Sequence, residues 1–152
     1  FWILDFGFWI RKTGAQVNER EFKNRTYKLA LRVIRLVEAL PKSSTGNVIA
    51  RQVLRSGTSI GANYRAACRG RSALDVLAKL GIVEEEADET LYWLDLLAEA
   101  NLVPRKRLEP LMKEVNEILA MTVASIKTLR RTSARSTALC PANPKSKIQN
   151  PK

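Results

Sequence analysis

Apolar side chains recur at helical spacing in four consecutive stretches of the chain. In the first, Phe22, Leu29, Ala30, Val33, Val37 and Leu40 share one side at about 100° per residue. Arg25, Lys28, Arg32 and Arg35 share the other. Pro41 ends this helix, because it has no N–H to donate and its ring crowds the preceding turn. The second helix is predicted from an Asn47 N-cap to Arg69, with Gly70 as the stop. The third starts at Ser72, where Asp75 completes a capping box, and runs to about Ala100. Its stripe is Val76, Leu80, Val83, Ala87, Leu91, Leu94 and Ala98. Past Pro104 the fourth repeats Leu108, Leu111, Val115, Ile118, Leu119, Thr122, Ile126 and Leu129 at spacings of three and four, the seam of a bundle.

No stretch alternates as a strand, and short connections between long helices favour antiparallel neighbours. The expected fold is all-α, an antiparallel up-down-up-down four-helix bundle over residues 19–131. Residues 132–152, dominated by Ser, Thr, Pro, Asn and Lys without periodicity, are expected to form a disordered basic tail. Residues 1–18 stand apart from the fold. Their apolar opening, Phe1 to Ile10, is too short to span a bilayer, and its basic residues follow it, the reverse of a signal peptide. It reads as an upstream extension, a cloning remnant or a mis-set start, or else as an arm docking on a neighbour.

Composition narrows the chemistry. The chain has 152 residues, 45% hydrophobic and 27% charged, which suits one ordinary domain. It contains no histidine, which removes Ser-His and Cys-His nucleophile systems, His-rich zinc sites and Glu-x-x-His di-iron sites. Cys68 and Cys140 form no ligand spacing and read as reduced thiols of a cytoplasmic protein. The net charge of +11 is uneven: residues 19–126 carry 17 bases and 14 acids, whereas residues 127–152 carry seven bases and no acid. A nearly balanced body with a basic tail is the result.

Two runs carry a family resemblance. One is the Arg51–Arg65 stretch, with Arg55-Ser56-Gly57-Thr58-Ser59-Ile60-Gly61-Ala62-Asn63 at its centre; the other is Glu86-Ala87-Asp88-Glu89-Thr90-Leu91-Tyr92-Trp93-Leu94. With the Arg107–Leu111 opening of the last helix, they resemble the "four helix bundle protein", or 23S rRNA intervening-sequence protein, family over roughly residues 22–130. The resemblance implies an antiparallel bundle that assembles into a ring, with a homopentamer expected. Some members are encoded inside insertions in bacterial ribosomal RNA genes. Others resemble the accessory protein of the reverse transcriptase in diversity-generating retroelements. Nucleic-acid binding is the role the family implies, and no enzyme activity or cofactor.

The residues add their own readings. Arg51, Arg55, Arg65 and Arg69 fall within an arc of roughly 80° on the second helix, with Arg71 just beyond its end. Such guanidinium groups suit phosphate oxygens. The third helix carries seven acids between Glu84 and Glu99 and no base, so the arginines could instead pair with it, within a subunit or across a ring. Pairing is favoured for Arg55 and Arg65, and free guanidinium groups for Arg51, Arg69 and Arg71. Ser56, Ser59 and Asn63 sit where the core meets the Arg stripe, and read as polar groups that set helix register, with Glu85 or Glu89 as partners. Gly57 and Gly61, each costing about 1 kcal/mol in a helix interior, imply the close approach of a neighbour. The acids read as a solvated or Arg-paired face and not as a metal site.

Ile82, Trp93, Leu96 and Leu97 lie outside the stripe of the third helix, which makes Trp93, Ile82 and Leu97 candidate oligomer contacts, with Trp93 leading. The alternative is that the indole caps the bundle from within. Tyr64 and Tyr92 could stack bases but read better as core or interface. Arg130 and Arg131 open the basic tail and complete the candidate nucleic-acid-binding set. The expected function is that of a non-enzymatic, cytoplasmic ring binding nucleic acid, structured RNA above all, without sequence-specific readout and without membrane contact. The alternatives are an adaptor docking an enzyme such as a retroelement reverse transcriptase, and a purely structural homo-oligomer.

Overall fold

The computed structural model describes residues 19–138, and the expectations for residues 1–18 and for the tail beyond Ala138 lie outside the described residues. Four α-helices follow one another: α1 Glu19–Glu38, α2 Ser44–Ala67, α3 Ala73–Glu99 and α4 Arg105–Ala138. No strand occurs among the described residues. The stripes read from periodicity form one core. Phe22, Leu29 and Val33 of α1 meet Ile49, Val53, Ile60 and Ala67 of α2, Val76 to Ala98 of α3, and Leu108 to Leu129 of α4.

Local chemistry sets the helix ends. The α2 cap is Ser43, not Asn47: Ser43 is extended (φ −128°, ψ 162°), and its hydroxyl accepts from the Gly46 N–H at 3.0 Å. Gly46 allows this entry because a Cβ there would sit 2.7 Å from the Pro41 carbonyl oxygen. The helix ends at Ala67, two residues before the predicted Arg69. At α3 the Ser72 hydroxyl accepts from the Asp75 N–H at 3.1 Å, and the Asp75 carboxylate accepts from the Arg71 N–H at 3.0 Å. The α3 end is set by a residue that hydrophobic periodicity does not mark. Asn101 is left-handed (φ 55°), so the Leu102 N–H reaches the Leu97 carbonyl and the Asn101 N–H that of Ala98. This closure satisfies two last-turn carbonyls, and Asn tolerates its geometry. Residues 132–138 depart from the expected disordered tail and continue α4.

Two glycines of α2 face α1, and the close contact depends on the first. A Cβ at Gly57 would meet Val33 Cγ2 at 2.8 Å, and one at Gly61 would meet the Thr26 carbonyl oxygen at 3.4 Å. One turn further along, the Phe22 and Tyr64 rings tilt together with centroids 4.2 Å apart. Between α2 and α3 the core is polar at one point, where Ser56 meets Thr90. The α1–α4 seam is much sparser than the α1–α2, α2–α3 and α3–α4 seams. Arg25 clasps it by donating from Nε to Glu114 at 2.8 Å and from Nη2 to Glu117 at 2.7 Å. Periodicity had put Arg25 on the solvent side.

Candidate nucleic-acid interface

Arg51, Arg55 and Arg65 of α2, and Arg69 just past its end, are all exposed. Fourteen residues separate Arg51 from Arg65, so the stripe runs for roughly 21 Å along α2. Neighbouring helices then divide the stripe. Arg55 reaches α3 and binds the carboxylates of Glu89 and Glu86, the latter at 3.3 Å, and its Nε donates to Gln52 at 3.3 Å. The expected pairing with the acidic helix therefore occurs within one subunit. Arg65 departs from that expectation, because its guanidinium lies 5.8 Å from the centre of the exposed Tyr27 ring of α1, a cation–π contact. Arg51, Arg69 and Arg71 are exposed, and their guanidinium groups have no carboxylate partner among the described residues. Arg130 and Arg131 are exposed near the end of α4.

The acidic helix is neutralised in two places. Arg55 covers Glu86 and Glu89, while Arg105 from the start of α4 binds Asp95 at 3.0 Å and Glu99 at 2.8 Å. The hydrogen bond from Arg55, with a second from the Trp93 indole at 2.9 Å, holds the Glu89 carboxyl below its ordinary value. Glu86 moves the other way, since burial of its carboxylate outweighs the pull of Arg55. Glu89 is therefore the true ion-pair partner of Arg55, and Glu86 a weaker neighbour. Outside these pairs, Glu85 and Asp88 stand exposed beside Tyr92. No group of side chains that could hold a metal occurs among the described residues. Burial pushes the Cys68 thiol up to about 11, so it stays protonated at neutral pH.

Ser56 and Asn63 of α2 find partners other than the predicted carboxylates. The Ser56 hydroxyl is fully buried and bonds Thr90, Asn63 donates to the Ser59 carbonyl at 3.0 Å, and Glu85 points to solvent. Thr90, whose hydroxyl is hidden in an apolar run, supplies the cross-helix contact. Of the three candidate oligomer contacts, Leu97 is corrected: it is 0% exposed inside its own subunit, because the arc α3 buries is wider than the stripe periodicity drew. Trp93 and Ile82 are half-buried on the edge of α3. The exposed apolar side chains of α3 are Leu74, 76% exposed, and Tyr92, 57% exposed, with the Tyr92 ring edge-on to Trp93 at 5.0 Å.

Comparison with known proteins gives the following. Residues 18–124 match the family described as 23S rRNA-intervening sequence protein. The chain is similar to a crystal structure from Bacteroides thetaiotaomicron, that of a protein with unknown function from the S23 ribosomal protein family. The two are 36% identical over 72% of this chain and 97% of that chain, with a TM-score of 0.68. Among curated proteins, none matches. No helix among the described residues is long and apolar enough to cross a membrane.

Proposed function

This chain belongs to the 23S rRNA-intervening sequence protein family, and we propose that it is a non-enzymatic, cytoplasmic, ring-forming bundle that binds structured RNA through arginine and lysine without reading sequence. The observation that carries this reading is the set of guanidinium groups on α2 and just past its end, Arg51, Arg69 and Arg71, which are exposed without carboxylate partners while Glu86, Glu89, Asp95 and Glu99 of α3 are tied to Arg55 and Arg105. The free guanidinium groups of Arg51 on α2 and of Arg69 and Arg71 past its end can each engage a phosphate, and Tyr27 beside Arg65 adds a ring on which a base could stack. The seven bases after residue 126 would add a salt-sensitive, sequence-independent contribution.

The ring belongs to the proposal. Its subunit is an antiparallel up-down-up-down bundle, supported by pairings that run in opposite directions: Phe22 with Tyr64, Thr26 with Gly61, Val33 with Gly57. The exposed Leu74 and Tyr92 of α3 would meet the next copy, five subunits closing the circle. Multiplied over a ring, weak phosphate contacts sum by avidity.

Titration of labelled structured RNA at two salt concentrations tests the reading. Affinity should fall steeply with salt, and Arg51→Glu or Arg69→Glu should weaken binding and lower the salt slope by about one or more. Arg55→Gln should change little, because its guanidinium is already bound to Glu89. No binding at low salt ends the proposal. A second reading, an adaptor docking an enzyme such as a reverse transcriptase, is favoured by Glu85 and Asp88 lying exposed beside Tyr92, a mixed acidic and aromatic face that suits a protein partner.

A further inference from the structure

At the end of the bundle away from the Phe22–Tyr64 contact, an open cavity of about 490 Å³ lies between the end of α1, the 102–104 connection and the first turns of α4. Its walls are aliphatic, with Leu36 and Leu102 half-buried and Leu108 and Leu111 buried at its floor. Three arginines also line it, Arg32 and Arg35 from α1 and Arg107 from α4, and no acidic side chain does. Arg35 and Arg107 have no carboxylate partner among the described residues. Arg32 acts on Glu114 only through its field, without a hydrogen bond.

Bases near a helix C-terminus are ordinary, since they offset the negative end of its dipole, and that explains Arg35 taken singly. It does not explain Arg107, which sits in the first turn of α4, where the dipole already favours negative charge. Three like charges around one aliphatic opening repel each other until an anion joins them. The apolar walls, in turn, give water few partners. We infer that this cavity binds a small amphiphilic anion, with a carboxylate or phosphate head on the arginines and an aliphatic body against the leucines. The size fits a small molecule. No aromatic side chain lines the cavity, and the site is separate from the α2 face.

Titration of the full chain with hexanoate, octanoate, octyl phosphate and octanol, below their micellar range and followed by methyl NMR, tests this. Octanoate or octyl phosphate should shift the methyl signals of Leu36, Leu102, Leu108 and Leu111 saturably, and the two identify which head the arginines prefer. Each methylene added between hexanoate and octanoate should tighten binding about fourfold, the equivalent of ~0.8 kcal/mol. Arg107→Gln and Arg35→Gln, both at exposed positions, should each weaken octanoate about tenfold, with circular dichroism verifying that both variants stay folded. Octanol binding as tightly as octanoate would overturn the inference. So would inorganic phosphate binding as tightly as octyl phosphate, shifts centred on Leu74 instead, or no saturation with either anion.

Discussion

The Thr90 hydroxyl of α3 donates to the Ser56 hydroxyl oxygen of α2 at 3.0 Å, with both residues fully buried. Each hydroxyl also lies against a carbonyl one turn back in its own helix, Ser56 at 2.9 Å from Gln52 and Thr90 at 2.7 Å from Glu86. Two protons thus serve three oxygen–oxygen contacts. Either hydroxyl can retreat to its own helix if the other is lost. The pair ties α2 to α3 at one register without an orphaned donor.

A double-mutant cycle should measure that tie. Ser56→Ala and Thr90→Val are each expected to cost about 1 kcal/mol in urea unfolding, because the remaining hydroxyl still has its carbonyl. The coupling between them should be roughly 0.5–1.5 kcal/mol. Strict additivity would mean that the hydroxyls do not interact in solution.

The two glycines of α2 should respond differently to alanine. Gly57→Ala drives a methyl into the branched end of Val33, at 2.8 and 3.0 Å, and is expected to destabilise by about 1–3 kcal/mol. At Gly61 the nearest atom, the Thr26 carbonyl oxygen, is 3.4 Å away. There the gain in helix propensity, up to ~1 kcal/mol, should offset the contact. Thermal melts of the two variants should therefore separate, with Gly61→Ala the more stable.

The Arg25 clasp predicts acid sensitivity. Hydrogen bonding from Arg25 holds Glu114 below its ordinary value. The stability it contributes is complete above that ordinary value and is lost as pH falls through the depressed folded value. Arg25→Gln should cost about 1–2 kcal/mol at neutral pH, chiefly through Glu114, since Glu117 is half exposed and its bond is screened by solvent. Urea midpoints between about pH 5 and pH 3 should fall more steeply for the wild-type chain than for the variant. Parallel curves would remove the clasp from the acid response.

Self-association through α3 is open to light scattering. The wild-type chain should have the mass of a closed oligomer, and Leu74→Lys with Tyr92→Ser should move it toward a single subunit while leaving helicity intact. A wild-type monomer at micromolar concentration would remove the ring, and with it the avidity in the proposed function.

Periodicity alone located four helices and almost every core position, because one face of each must leave water and 3.6 residues per turn dictates which. Val83 and Leu94 of α3, and Val115 and Ile118 of α4, are each completely buried, as their stripes required. Gly57 also carried a readable message, since its helix cost is matched by the close approach of Val33, whereas Gly81 of α3 has no neighbour within 4 Å of an added Cβ. Other features depended on distant parts of the chain. The Ser43 cap works only because Gly46 lets the backbone fold against Pro41, and the left-handed Asn101 closes α3 where no glycine marks the end. Arg25 turned from a solvent position into a clasp once α4 came alongside, and Leu97 passed from candidate interface to core as α3 buried a wider arc. Local spacing determines which side of a helix is oily. Which charge meets which, and which hydroxyl finds a partner, is decided only when helices far apart in sequence are brought to within a few ångströms.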